Sequence, residues 1–287
     1  MKTNLIPEAQ LEEMICSQVV ALKTRYPCWP EPEMLCEKLG IRVQYGSVGL
    51  GSEGAAFADA ILLDPTAGVP ARRRFTFYHE IVHHLLREHA VELYSIISDQ
   101  YESDELLTSI SERLCNVGAA EFLLPRETVR SLYQEEGFSV VLIEALSHPG
   151  AVSRVAACAQ LAFCAPHSCI AIVCRKDMVT LTPQLPPQES APTPLARERV
   201  RIDVAFRSRK MKYACASGTE IASGHLLIQV FKAAHGERIR GTAPIPFRSG
   251  RPWEVECEAT RLGKQVFALF HVDAPPTSIR NQLQLPF

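Results

Sequence analysis

Three observations predict an α+β protein with a mainly helical front and a smaller, sheet-bearing back. Apolar residues recur at helical spacing through most of the chain up to residue 163, and beyond residue 169 the period drops to two. Within that back part lies a proline-dense stretch, TPQLPPQESAPTP at 182–194, which can form neither a helix nor an inner strand and reads as an extended connector or long surface loop.

Taken in order, residues 8–26 place Leu11, Met14, Ile15, Val19 and Leu22 on one helical face, and Pro27 stops the helix. A shorter helix covers 30–39. The segments 41–45, 55–60 and 61–63 are brief, apolar and bounded by Gly or Pro, as strands are. Helical spacing returns over 74–88 and over 105–124, the second closed by Pro125, and then over 126–136, 140–147 and 151–163. Strands follow at 169–174, 200–206, 253–260 and 265–272, with one helix near 224–234 between them, the plan of a small module with an antiparallel sheet.

Composition narrows the function classes. Apolar residues make up 47 % of the 287 and charged residues 22 %, enough to bury a core, which excludes disorder, collagen and a disulfide-stapled miniprotein. No apolar run reaches the roughly 18 residues that a membrane span needs, and the start, MKTNLIPEAQLEEM, lacks the basic-then-apolar plan of an export signal. The net charge of −2 argues against nucleic-acid binding by the chain as a whole. The 10 cysteines include no C-x-x-C pair, so they read as reduced thiols of a cytoplasmic protein.

The chemistry is concentrated at His79-Glu-Ile-Val-His83. In a helical frame the two histidines project from one face a turn apart, a spacing that lets two nitrogens reach one zinc ion at about 2.0–2.1 Å. Glu80 can address water on the same ion as general base and proton shuttle. His89 stands at the offset of the third ligand in the H-E-x-x-H-x-x-G-x-x-H pattern, but Leu86 occupies the glycine position where that helix must break. If the helix continues, His89 lies about 240° around from His83 and faces away. The alternative is a carboxylate on the helix 105–124, which offers Glu105, Glu112 and Glu121; Glu112 shares a face with Asn116 and so leads modestly. Candidate oxyanion donors are Tyr78, Tyr101 and His84.

The pairing of His79-Glu-Ile-Val-His83 with Glu112-Arg-Leu-Cys-Asn116-Val-Gly-Ala-Ala-Glu-Phe-Leu-Leu-Pro125 resembles the signature of the ImmA/IrrE metallopeptidase family, and Phe57-Ala-Asp-Ala-Ile-Leu-Leu-Asp64 resembles that family's sheet beside the cleft. The resemblance implies that Glu112 is the third zinc ligand, with manganese an alternative ion in the cell. One departure is Val82, where the family usually has a small residue. Leu114–Ala119 and Pro246-Phe-Arg-Ser-Gly-Arg251 further resemble the family's radiation-response regulators. What this implies is a zinc-peptidase-like domain at 1–125, a helix-turn-helix-like segment at 126–164 and a GAF-like sensor domain at 165–287, answering an unidentified small-molecule or protein signal. The implied reaction is site-specific cleavage of a helix-turn-helix repressor that silences DNA-damage genes.

The rival reading is a non-catalytic metal-binding regulator that binds DNA or a partner protein. It is weakened by the second helix of the 143–161 pair, which offers only Arg154 and Gln160 to read bases. The basic run Arg197, Arg199, Arg201, Arg207, Arg209, Lys210 and Lys212 suits either an anionic partner or a solvated sheet face, and Arg72-Arg73-Arg74 reads as a solvated turn.

Overall fold

A computed structural model describes residues 5–49, 53–66, 68–101, 103–147, 151–181, 195–248 and 253–272. The 182–194 connector, the turn at 148–150 and Arg251 lie outside them. The chain forms two compact units, one from Met1–Ser131 with Leu146–Ala157 and the other from Leu132–Ala145 with Cys158–Phe287.

The first unit is built on three helices. α1 (Glu8–Arg25) buries Leu11, Ile15, Val19 and Leu22 at helical spacing, and each such side chain contributes about 1.5–3 kcal/mol relative to exposure. α2 (Pro32–Leu39) takes proline at its first position, where no N–H is needed, and closes on Gly40 in the left-handed conformation. A three-stranded sheet follows, β1 (Arg42–Tyr45), β2 (Gly54–Ala56) and β3 (Ala60–Leu63), in the order β1-β3-β2 with β1 parallel and β2 antiparallel to β3. The strand expected at 55–60 is therefore shorter: the chain turns at 57–59 and the central strand starts at Ala60.

α3 (Pro70–His84) passes without a break into a π-helical turn, Leu85–His89. The three arginines expected in a solvated turn occupy its first turn instead, where cations oppose the helix dipole. Each has a fixed partner: Arg72 pairs with Glu53 at 2.6 Å, Arg73 donates to the Pro65 and Gly68 carbonyls, and Arg74 to the Pro30 carbonyl. α4 (Val91–Gln100), which was not expected, precedes α5 (Asp104–Leu123). The core joins α1, α3 and α5; Tyr78 stacks on Phe122 with ring centroids 4.7 Å apart. Val82, the family departure, lies against Gly118 of α5, where a Cβ would come within 2.8 Å of a valine methyl. The bulk added on one helix is thus accommodated by its absence on the other.

α6 (Arg126–Glu136), α7 (Val141–Leu146) and α8 (Arg154–Cys164) follow. The C-terminal sheet has the order β5-β4-β8-β7-β6, antiparallel throughout. Its members are β4 (Cys169–Leu181), β5 (Leu195–Arg207), β6 (Arg238–Pro244), β7 (Glu254–Leu262) and β8 (Gln265–His271), with α9 (Leu226–Val230) between β5 and β6. The basic run lies largely on β5 and is met by acids: Arg201 and Arg199 face Asp177, Lys176 faces Glu198, Arg175 faces Asp203 and Arg197 faces Glu220. The fold is mixed α+β, helical at the front with its larger sheet at the back, and no described helix is long and apolar enough to cross a membrane. Its cysteines are free thiols; burial pushes Cys36, Cys174 and Cys215 up to about 12 and keeps them protonated.

Candidate metal centre

His79 and His83 stand one turn apart on α3, their rings 4.8 Å between centroids and their Nε2 atoms 3.1 Å apart. Glu112 reaches them from α5: one carboxylate oxygen lies 3.2 Å from His79 Nε2 and the other 3.1 Å from His83 Nε2. Among the described residues this is the cluster of histidine, cysteine and carboxylate side chains whose ligand atoms converge. Tetrahedral coordination at 2.0–2.1 Å sets ligand atoms about 3.3 Å apart, so the observed separations fit a single divalent cation.

The outer partners suit the same purpose. Asn116 Oδ1 lies 3.1 Å from His79 Nδ1. Its carbonyl can accept only from a protonated nitrogen, which leaves the lone pair on Nε2, facing the other two groups. Burial, then the neighbouring His79, lower the pKa of His83 and favour the neutral, ligating form.

Glu80 is 6 % exposed and lines the same cleft. Burial raises its pKa to about 7, the Glu112 carboxylate adds to the rise, and Arg87 opposes it. A carboxyl group held there exchanges protons readily near neutral pH. The cleft, about 350 Å³, is lined by Gly54, Ala55 and Ala56 of β2 with His79, Glu80, His83, Arg87 and Glu112. Gly54 has no room for a side chain: a Cβ would meet Thr76 Cγ2 at 2.7 Å and Glu80 Oε1 at 2.8 Å.

The other sequence candidates lie elsewhere. Glu121 is buried in an ion pair with Arg126 at 3.1 Å, and Glu105 is exposed in the first turn of α5. His89 sits beside His84, ring centroids 5.7 Å apart, rather than with the His79 pair. Tyr78 donates to the Trp29 carbonyl at 2.7 Å inside the core, Tyr101 packs against that core, and His84 is buried; none of the three lines the cleft. Arg87 was missed as a cleft residue, although the signal was present: positions 79, 83 and 87 are successive i, i+4 neighbours.

This arrangement of side chains is a candidate site for a divalent cation, and comparison with known proteins points to a metallopeptidase family. Residues 36–161 match the IrrE N-terminal-like domain, Peptidase_M78. Two relatives are both named radiation response metalloprotease IrrE. The chain is 31 % identical over 204 residues to the one from Deinococcus radiodurans, covering 69 % of this chain and 59 % of that protein. It is 29 % identical over 205 residues to the one from Deinococcus deserti, covering 71 % and 68 %. The match thus spans about three-fifths of the length of the first relative. A solved structure of a Mycobacterium tuberculosis transcriptional regulator superposes with a TM-score of 0.50 over 91 % of this chain and 74 % of that one at 16 % identity, a likeness of fold alone.

Proposed function

We propose that this chain is a site-specific zinc metalloendopeptidase that cuts a helix-turn-helix transcriptional repressor and thereby induces DNA-damage and radiation-response genes in the cytoplasm. The observation that carries the reading is the convergence of His79 Nε2, His83 Nε2 and the Glu112 carboxylate at 3.1–3.2 Å, with Glu80 in the same cleft. His79, His83 and Glu112 would hold the ion, zinc or in the cell manganese. Once bound, such an ion supplies a Lewis acid that polarises a carbonyl and acidifies water.

The remaining work belongs to the protein. Asn116 fixes the His79 tautomer. Glu80 accepts the proton of the attacking water, holds it in a buried setting and returns it to the leaving amine. β2 is an edge strand with small side chains lining the cleft, so an extended peptide can pair with it and be held across the metal centre. β3 is flanked on both sides, by β1 and β2, so the docking edge is Gly54–Ala56 rather than the neighbouring stretch 57–63. We assign α6–α8 to a helix-turn-helix-like segment that positions the repressor, and the C-terminal sheet to a GAF-like sensor of a small-molecule or protein signal.

The test is to incubate the chain, with and without a chelator, alongside purified helix-turn-helix repressors from the same genome and to weigh the products. We expect one repressor to be cut at one bond, the chelator to abolish the cut, and casein to stay intact. Gel shifts of operator DNA by the chain itself without any repressor fragment would instead favour the non-catalytic regulator.

A further inference from the structure

Arg87 is the cationic side chain among the residues lining the cleft, and the chemistry above leaves it without a task. Three features hold it there. It follows His83 by four residues, as His83 follows His79, so all three lie along one side of the helix. It sits within the π-helical turn Leu85–His89, where Ala90 N–H donates to the Leu85 carbonyl at 2.8 Å. A π turn winds less per residue than an α turn, which keeps Arg87 nearer the line of the two histidines, and such turns frequently occur at functional sites. Finally, Arg87 Nη2 donates to the Phe57 carbonyl, just past the end of β2, at 3.3 Å. That anchor uses one of the five N–H donors of a permanently charged, planar group.

The rest of the cleft is ill suited to negative charge. It presents the carboxylates Glu80 and Glu112, two imidazoles and the three small residues of the edge strand. Hydrolysis of an amide builds negative charge on the scissile carbonyl oxygen, and the hydroxyl and imidazole candidates Tyr78, Tyr101 and His84 lie outside the cleft. We propose that Arg87 is a catalytic residue that donates an N–H to the scissile carbonyl oxygen as charge accumulates on it. The proposal rests on the peptidase reading above. A merely specificity-determining Arg87, binding an acidic substrate side chain, would act in the ground state and in the transition state alike.

The test measures cleavage of the repressor by zinc-loaded wild-type, R87Q and R87K chains. Arg87 is exposed, so both variants should fold and carry one zinc ion per chain as the wild type does. Loss of an oxyanion donor predicts a kcat lower by about 10²–10³ in R87Q, with KM within about threefold, and an intermediate kcat in R87K, which keeps the charge without the fork. A kcat within threefold of wild type, a loss expressed in KM, or a loss of zinc in R87Q would overturn the assignment. Should the wild type cut none of the repressors, the peptidase reading fails by itself and Arg87 is judged by calorimetry with N-phosphoryl-Leu-Trp, whose tetrahedral anion copies the charged oxygen. Affinity about 30-fold weaker in R87Q, as expected for one charge-assisted hydrogen bond, upholds the role, whereas equal affinities or no binding to either chain overturn it.

Discussion

Both units of the molecule bury carboxylates, and Glu258 in one and Glu80 in the other are treated in opposite ways. Glu258 on β7 is 2 % exposed and saturated with donors: Ser139 Oγ at 2.7 Å, the Val140 N–H at 3.3 Å, and the guanidinium groups of Arg238 and Arg240. Glu80 on α3 is 6 % exposed, faces a second carboxylate and two imidazoles, and titrates near 7. The first is a structural tie that holds the start of α7 to the sheet. The second is kept short of cations, at a cost in stability that only a bound ion or a chemical task explains. Burial alone does not distinguish the two; the donors around each carboxylate do.

The largest test of that contrast is E80Q, which keeps the shape and removes the proton acceptor. Repressor cleavage should fall by about 10²–10⁴ in kcat, with zinc content unchanged and a melting temperature at or above that of the wild type, because the buried charge is gone; cleavage at the wild-type rate would show that another group takes the proton. Asn116→Ala comes next: losing the partner that orients His79 should weaken zinc binding by about 10–100-fold, read by competition with a chelating dye. In the C-terminal unit, Glu258→Gln should lower unfolding stability by about 2 kcal/mol, seen as a lower urea midpoint, and leave zinc affinity unchanged. A matching loss of zinc would mean that the two carboxylates are not independent.

The smallest effect is on pH. Burial pushes the pKa values of His225 and His271 below 6.5, so both stay neutral when folded and gain protons more readily once unfolded. Their contribution is complete above pH 6.5 and declines as pH falls below it. The urea midpoint of the C-terminal unit should therefore drop modestly between pH 7 and pH 5; a flat profile would show that these histidines titrate alike in both states.

Local patterns carried much of this architecture in the sequence. α1, α5 and α6 follow the apolar spacing to within a residue or so at each end. What escaped was structure that depends on a distant partner. β6 (RIRGTAP) carries arginines, a glycine and a proline and becomes a strand by pairing with β7. β4 runs past Cys174 through Arg175, Lys176 and Asp177, charges that look like a loop until Asp203, Glu198 and Arg201 face them across the hairpin. At the candidate site, helical spacing made the His79–His83 pair legible, whereas spacing alone left Glu105, Glu112 and Glu121 open, because the choice turns on which face of α5 meets α3. Arg87 escaped for a different reason: a guanidinium does not coordinate metal, so nothing in a metal-binding motif marks it.

The bare backbone at Gly54 has its own consequence. One methyl group there would come within 2.7 Å of Thr76 Cγ2 and 2.8 Å of the oxygen assigned to proton transfer, so that oxygen keeps its place only while position 54 carries no side chain. A screen for inactivating changes in this chain should therefore find one at a position with no chemistry to lose, where the damage comes from something added.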